Sequence, residues 1–273
     1  MTEKEYRFHP AISRSELWHM HESPEKFKWY REHPSEPTPA LLFGQVVHKL
    51  ILQPDDFNAD FIVWPGLNRT TKAGKEAWVQ FLEIVGDRKV IEKDGPNGYN
   101  RAVEMANAVL SNPLAAKLLD GQHEVPFFWT DADTGEQCKC RVDCLTETDD
   151  GLVIVDYKTA SSARTEIFNN DIFRYGYHLQ SAMYSEGVMN AINLTERPDF
   201  VFIVQEKTAP YSVNVVTVSP EVMLVGLDTF REYMGIYHEC NITGYWYGYN
   251  GFMDEPNETY LPGWMSMGVE EEE

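Results

Sequence analysis

The chain of 273 residues is 43% hydrophobic and 13% aromatic, which excludes a disordered chain and supports one large folded domain with a substantial core. Its formal net charge of −20 argues against broad nonspecific attraction to nucleic acid, although basic residues confined to a channel remain compatible with such a ligand. No apolar run reaches the length of a membrane span, and the N-terminus lacks the apolar core of a signal peptide, so we expect a cytoplasmic protein.

The N-terminal region, residues 8–33, has the pattern of aromatic-rich helices. Ser13 is placed to cap a short first helix, and Ser23 followed by Pro24 marks a second helix start. Three prolines between residues 34 and 39 predict the end of this region and a linker.

A buried helix is predicted over residues 41–52, which are apolar nearly all round. This helix carries His48 one turn after Gly44, and the glycine would let another group approach closely. A histidine in such a helix is more often a satisfied core residue than a ligand, so the pattern alone leaves both roles open.

The most basic segment of the chain, residues 69–78, contains Arg69, Lys72 and Lys75 around a glycine. A loop of this composition that enters a helix can contact phosphates. An ordinary solvated helix start is an equally good interpretation. A further helix is predicted over residues 100–119. Its apolar face is expected to carry Met105, Val109 and Leu110.

A strand is predicted over residues 123–129. Glu124 precedes its apolar part, where it either adds a carboxylate to a site or is simply exposed. The next strand begins at Cys138 and alternates strictly. One of its faces carries Cys138, Cys140, Val142 and Cys144. Because cysteines on one strand face cannot easily surround a tetrahedral metal or bridge each other, we interpret them as small buried apolar side chains, with zinc or an iron–sulfur cluster as a minority alternative.

Two carboxylates and a lysine, Asp143, Asp156 and Lys158, converge at one end of the hairpin that this strand forms with the next. A two-residue turn at Asp150-Gly151 sets Asp143 opposite Lys158, whereas a four-residue loop over 148–151 sets it opposite Asp156. In either register the three side chains lie within roughly 5–8 Å of one another on one face.

Carboxylates this close repel each other unless a cation lies between them, and Mg²⁺, with Mn²⁺ as a substitute, is the natural occupant. Lys158 beside the cation would position or activate a water, or stabilise negative charge on a phosphate. A surface hairpin with a salt bridge is the alternative. The apolar run over residues 152–155 disfavours it, because a strand buried on both faces that ends in charges is typical of a site.

After a polar loop, a helix predicted over residues 172–189 carries a polar and aromatic stripe. The stripe consists of Tyr177, Gln180, Ser181 and Tyr184. Such side chains hold phosphates or orient carboxylates, unless the tyrosine hydroxyls simply lie at the surface. Strands at 200–206 and 211–218 and a helix over residues 220–237 follow. Residues 245–249 and 261–264 are predicted to be an aromatic tail, and residues 270–273 a disordered acidic end.

Taken together, these residues resemble the PD-(D/E)XK nuclease superfamily, and more narrowly its RecE-type (exonuclease VIII) branch, which is related to the RecB nuclease domain and lambda exonuclease. The motifs of the branch occur in order. They are Gly44 and His48 on a helix, Glu124 on a strand, Arg141 and Asp143, Asp156 and Lys158, and Gln180 with Tyr184 on a helix. The chain departs from the superfamily pattern in having Val142 before Asp143 instead of proline.

The resemblance implies an α/β fold with an αβββαβ core, a central mixed sheet flanked by helices. We expect a single nuclease domain over residues 1–273. Its parts are an N-terminal helical cap (1–40), a core (41–218) with a helical insertion at 65–120, and a C-terminal helix with an aromatic tail (219–269).

The resemblance also implies roles for the site residues. Asp143 and Asp156, with His48 and the backbone carbonyl of Tyr157, would hold Mg²⁺, and Lys158 would act on the attacking water. Glu124 joins the catalytic set. The expected DNA contacts are Gln180, Tyr184, Arg141, Lys72, Lys75 and Arg69.

The activity implied is Mg²⁺-dependent 5′-to-3′ degradation of one strand of linear duplex DNA, which leaves 3′ single-stranded tails. The implied partners are double-stranded DNA ends, further copies of the chain in a ring-shaped trimer or tetramer, and a RecT-like single-strand annealing protein. The context would be phage or prophage recombination in a bacterial cytoplasm. Two alternatives are an endonuclease or nickase on the same fold and a non-catalytic module that binds DNA ends or protein.

Overall fold

The central sheet is built around the predicted hairpin. A computed structural model describes residues 1, 3–34, 36–251 and 255–260. The strands of the main sheet are β1 Ile12–Ser13, β4 Gln122–Thr130, β5 Gln137–Thr148, β6 Gly151–Ala160, β7 Asp199–Glu206 and β8 Val213–Thr217. A separate two-stranded sheet consists of β2 Phe61–Trp64 and β3 Lys89–Glu92.

Eleven α-helices are present in the described part of the chain. They are α1 Glu3–Phe8, α2 Arg14–Leu17, α3 Pro24–Glu32, α4 Pro39–Leu52, α5 Phe57–Asp60, α6 Lys72–Val85, α7 Tyr99–Leu110, α8 Pro113–Leu118, α9 Thr165–Arg174, α10 Tyr177–Ala191 and α11 Pro220–Thr243. No helix among the described residues is long and apolar enough to cross a membrane.

The sheet is mixed. Strand β5 pairs with β4 along one edge, antiparallel, and on its other edge with β6, also antiparallel, and with the short parallel strand β1. Strand β6 pairs in parallel with β7 after a crossover through α9 and α10, and β8 returns antiparallel to β7. The order α4, β4, β5, β6, α10, β7 is the predicted αβββαβ core.

Two hydrophobic cores lie on opposite faces of this sheet. One is formed with α10 and α11 and includes Met183 and Phe230. The other is formed with α4 and α7 and includes Val47 and Met105. Helices α4 and α10 therefore approach the sheet from opposite sides.

The hairpin register settles which acidic residues face each other. Thr148 pairs with Gly151 around a turn at Asp149-Asp150, so the two-residue turn at Asp150-Gly151 is wrong by one residue and the register of the alternative loop over 148–151 is confirmed. The register is the one that aligns Asp143 with Asp156 rather than with Lys158. Gly151 has a φ of 126°, a conformation that favours glycine and fixes it just after the turn.

The predicted alternation of β5 fails at Cys144. Cys138, Cys140 and Val142 pack in the core with α10, but Cys144 packs in the core with α4. The change of face follows from an interruption of the β4–β5 ladder, which pairs residues on either side of Glu124 and Asp143 but not these two. All four cysteines are buried and free, as the interpretation of apolar side chains required.

Two predicted helices are each divided. Residues 100–119 form α7 and α8, because Asn112 caps a new helix at Pro113; Leu110 is exposed and does not share the buried face of Met105. Residues 172–189 fall in α9 and α10, which are separated by Gly176 with a left-handed φ of 66°. Helix α11 continues past the predicted end to Thr243.

The predicted helix starts in the N-terminal region are confirmed. Ser13 forms a capping box with Glu16, and Ser23 caps α3. Pro39 begins α4 instead of closing the linker. The insertion predicted as helical over residues 65–120 also contains β3. Of the predicted aromatic tail, Trp246 stacks on Phe27, whereas residues 261–264 and the acidic end at 270–273 lie outside the described residues.

Candidate metal and nuclease site

The site lies at a strand fork, where β5 and β6 separate beyond the pair Cys144–Val155. From α4, His48 reaches two carboxylates: its Nε2 is 2.8 Å from Oδ2 of Asp143, and its Nδ1 is 3.1 Å from Oε1 of Glu124. Potential ligand atoms of these three residues lie within 4.8 Å of one another. The structure therefore assembles the histidine and two of the acids that the sequence singled out.

The backbone conformation of β4 and β5 directs the side chains of Glu124 and Asp143 towards His48. Glu124 has a φ of 53°, in the left-handed region, and this residue is the one at which the β4–β5 ladder is interrupted. The backbone N–H of Tyr157 donates to Oδ2 of Asp143 at 2.8 Å. The second carboxylate oxygen of Glu124, Oε2, forms an ion pair with Nε of Arg141 at 2.7 Å.

Asp156 is the most buried acid of the site, with only 2% of its surface exposed. Gln180 on α10 donates to its Oδ1 at 2.5 Å. Lys158 Nζ forms an ion pair with its Oδ2 at 2.5 Å, and no other partner of this oxygen is found within the described part of the chain. Because a carboxylate oxygen has two lone pairs, Oδ2 can accept a metal ion beside the ammonium.

The ionisation of the site follows from burial and from neighbouring charge. Burial alone would lower the pKa of His48, but the carboxylates of Asp143 and Glu124 outweigh it and raise the pKa of His48 to about 10. Burial raises the pKa of Asp156 to about 6 in spite of the Lys158 ammonium. The pKa of Asp143 is lowered instead, because the attraction and hydrogen bond of His48 exceed the effect of burial. Burial also acts on Lys158, yet Asp156 and Asp143 raise its pKa, so the lysine stays charged.

The donor set fits a small divalent cation. Ligand atoms of two carboxylates, Glu124 and Asp143, and of the His48 imidazole lie within 4.8 Å of one another, and hard oxygen ligands suit Mg²⁺ or Mn²⁺. Asp156 is not part of this cluster, but it is close enough for Asp143 and His48 to affect its pKa. His48 must lose its proton to become a ligand, because the metal competes for the same nitrogen lone pair.

The predicted DNA contacts divide into two groups. Gln180 is buried and orients Asp156, Arg141 is paired with Glu124, and burial raises the pKa of Tyr184 well above its ordinary value. These three lie at the site.

The other group belongs to the small β2–β3 sheet and its helix α6. Arg69 pairs with Glu92 and lies 3.8 Å over the Trp78 ring. Lys72 and Lys75 are exposed on α6. Within the described residues the structure records no hydrogen bond or ion pair between this group and the site, so their contact with DNA stays a prediction.

Two residues near Lys158 were not among the predicted site residues. Arg14, the first residue of α2, donates to the backbone oxygens of Tyr175 and Gly176. Its guanidinium carbon is 5.6 Å from the ring of Tyr177, and Lys158 Nζ is 5.1 Å from the same ring. No motif marks Arg14, since an arginine at a capped helix start is an ordinary feature of sequences. Tyr177 was noted only as part of a stripe.

Comparison with known proteins places this arrangement in a family. The model of the family described as "PDDEXK-like domain of unknown function (DUF3799)" matches residues 13–254. No curated protein matches the chain. A crystal structure described as "Putative exonuclease" from Eubacterium rectale is similar over 98% of both chains, with a TM-score of 0.63 and 17% identity. At this level of identity the similarity is evidence for a shared fold only. A structure described as SSO0001 is 9% identical with a TM-score of 0.35, over 85% of this chain and 81% of its own, and supports no conclusion. The predicted fold class is thereby confirmed.

Proposed function

Because the chain belongs to the family of PDDEXK-like domains, we propose that it is a divalent-metal-dependent nuclease that hydrolyses phosphodiester bonds in DNA. The observation that carries the proposal is the strand fork, where ligand atoms of His48, Glu124 and Asp143 lie within 4.8 Å of one another. The buried Asp156 lies there as well, paired with a charged lysine. A purely structural salt bridge between Asp156 and Lys158 would need neither the histidine nor the two further carboxylates.

The residues of the site have two roles, metal binding and contact with the attacking water or the phosphate. Asp143, Asp156, His48 and Glu124 would hold the ion, with the Tyr157 carbonyl as a further ligand. When bound, such an ion polarises a phosphate oxygen and lowers the pKa of a bound water. Lys158 keeps its proton and therefore donates hydrogen bonds, so it would orient the attacking water or stabilise charge on the phosphate rather than remove a proton.

Neighbouring groups hold the carboxylates in position before substrate binds. Gln180 fixes one oxygen of Asp156, and the Tyr157 N–H fixes one oxygen of Asp143. The Tyr157 hydroxyl in turn donates at 2.5 Å to Gln205, which donates to the Met105 carbonyl oxygen on α7. Such preorganisation lowers the cost of arranging charge during the reaction.

We further propose the finer assignment that the resemblance implied, a RecE-type enzyme that degrades one strand of linear duplex DNA from its 5′ end. The order of the motifs supports it, and the description "Putative exonuclease" of the similar Eubacterium rectale structure agrees with the exonuclease part of the assignment. A ring-shaped homo-oligomer and a RecT-like annealing partner in recombination complete this proposal.

The test is digestion of linear duplex DNA labelled separately at each 5′ and 3′ end, with Mg²⁺, with Mn²⁺ and with EDTA. We expect metal-dependent loss that starts at the 5′ labels and spares closed circular DNA. Cutting of circles would support the metal site but replace the exonuclease with an endonuclease or nickase. DNA binding by folded protein with no cleavage in either metal would leave a non-catalytic binding module.

A further inference from the structure

A cavity of about 330 Å³ lies at the carboxyl end of β6, immediately beyond Lys158. Thr159 and Ser161, at the end of this strand, line the cavity, and Tyr177 forms a wall between the cavity and Lys158. Its volume is at the lower end of the range for ligand pockets, about 300–1,000 Å³. The cavity is therefore suited to one small group next to the point of cleavage and not to a duplex.

Aromatic side chains form one side of the cavity. Tyr175 is 44% exposed, and its ring centroid lies 5.8 Å from that of Tyr177. Phe168 is fully buried behind them, with its ring 5.9 Å from Tyr177. Arg174 lies over the Tyr175 ring at 5.4 Å. Exposed aromatic rings interleaved with basic side chains are how proteins stack unpaired bases.

Polar groups of opposite kinds complete the lining. Lys207 is exposed just after β7, and its backbone N–H donates to the Ala160 carbonyl oxygen at 3.1 Å, which ties this turn to the end of β6. Asp171 on α9 contributes a carboxylate. A cation can accept a phosphate, while a carboxylate accepts hydrogen bonds from base or sugar donors and would repel a bare anion.

We infer that this cavity binds one unpaired nucleotide of the DNA strand that is cut, with the base on Tyr175 and the phosphate towards Lys207. The inference rests on the proposed nuclease function for the identity of the ligand. Because Tyr177 lies between the cavity and Lys158, a nucleotide held there would place its neighbouring phosphodiester at the strand fork. The strand must be unpaired at this point, since the cavity has room for a single base.

The test measures binding of radiolabelled 2′-deoxyadenosine 5′-monophosphate by equilibrium dialysis in EDTA, so that phosphate binding to a metal ion does not contribute. Removing the stacking ring in Tyr175→Ala should weaken binding about 5- to 150-fold, from the usual contribution of one stacked base. Tyr175→Phe keeps the ring and should bind as wild type does. Lys207→Ala should also weaken binding, whereas Lys117→Ala, which removes an exposed lysine from α8, should not.

Three results of the binding test would overturn the inference: no saturable nucleotide binding, unchanged binding in both Tyr175→Ala and Lys207→Ala, or competition by inorganic phosphate alone that equals competition by the nucleotide. The last result would mean a simple anion site. DNA cleavage by wild type with an unchanged KM in Tyr175→Ala would keep the nuclease and remove the nucleotide cavity. Nucleotide binding that depends on Tyr175, in a protein that does not cleave DNA, would support the nucleotide cavity and contradict the nuclease function.

Discussion

The two aspartates of the strand fork differ in how easily they carry charge. Asp156 is 2% exposed, and burial raises its pKa to about 6. Burial would raise the pKa of Asp143 too, but the charge and the hydrogen bond of His48 lower it, and the Tyr157 N–H adds a smaller effect in the same direction. At neutral pH the charge on Asp156 is thus the costly one, and a bound cation would stabilise it most.

Stability without metal should fall with rising pH because of His48. Its pKa is about 10 in the folded protein and 6.5 in a model peptide. A group with a raised folded pKa contributes stability that is complete below the unfolded pKa and is lost as pH rises through the folded value. The free energy of unfolding in EDTA should therefore decrease between about pH 6.5 and pH 10, as measured by urea titration at a series of pH values.

His48→Ala should flatten this pH dependence, and the exposed histidine variant His33→Ala should keep it. Asp156, whose pKa is raised to about 6, affects the free energy of unfolding below about pH 6, which is outside the pH range in which His48 acts. An identical slope in His48→Ala and wild type would show that His48 is not held protonated by Asp143 and Glu124.

Removing Lys158 should abolish cleavage and preserve the fold. We expect Lys158→Ala to lose about 10²- to 10³-fold in cleavage rate, the usual contribution of one donor that stabilises charge in the transition state. Asp156→Ala should lose cleavage as well. Circular dichroism and thermal unfolding would verify folding, and Lys117→Ala is the matched control. Retained activity in either purified variant would move the reaction centre elsewhere.

At the scale of elements, the site depends on helices that reach one fork from opposite faces of the sheet. Helix α4 brings His48 from one core and α10 brings Gln180 from the other. The interruption at Glu124 then lets β5 present Asp143 between them. With an unbroken ladder, the alternation of β5 would continue, and Cys144 would lie in the same core as Cys140 and Val142.

The position of α10 is set by a close approach of α11. A Cβ added at Gly226 would collide with the backbone carbonyl of His178, so Gly226→Ala should destabilise the protein by about 1–3 kcal/mol. Gly235 on the same helix has open space, and Gly235→Ala should stabilise by about 0.5–1 kcal/mol. Urea unfolding would measure both. Equal effects of the two substitutions would show that α10 and α11 do not pack this closely.

At the scale of the molecule, the charge of −20 restricts where DNA can bind. The acidic surface repels phosphates in general, so productive binding must occur where cations are concentrated. Lys158, Arg141 and Arg14 supply positive charge around the fork. A ring that encloses the duplex would offset the weak general attraction by keeping DNA near these residues.

The proposed ring predicts an assembly of defined mass. Light scattering after gel filtration should give three or four times the 31.4 kDa of one chain. Dilution that dissociates the assembly should shorten the tracts degraded per binding event, because an open chain releases DNA more easily. A single-chain mass in a preparation that degrades long tracts would contradict the ring.

The sequence alone determined the local features of this protein. Caps at Ser13 and Ser23, the buried helix around His48 and the adjacent strands of the hairpin depend on residues close in the chain. The order of the motifs was enough to identify the superfamily. Local turn chemistry was not enough for the register, since a turn shifted by one residue is nearly as favourable.

Only the tertiary structure decided how the site is assembled. The contacts of His48 with Glu124 and of Gln180 with Asp156 join residues far apart in the chain, and their distances depend on how α4 and α10 pack on the sheet. Arg14 has no local signal at all. Sequence patterns report which face a side chain occupies, whereas the packing of whole elements determines which side chains finally meet.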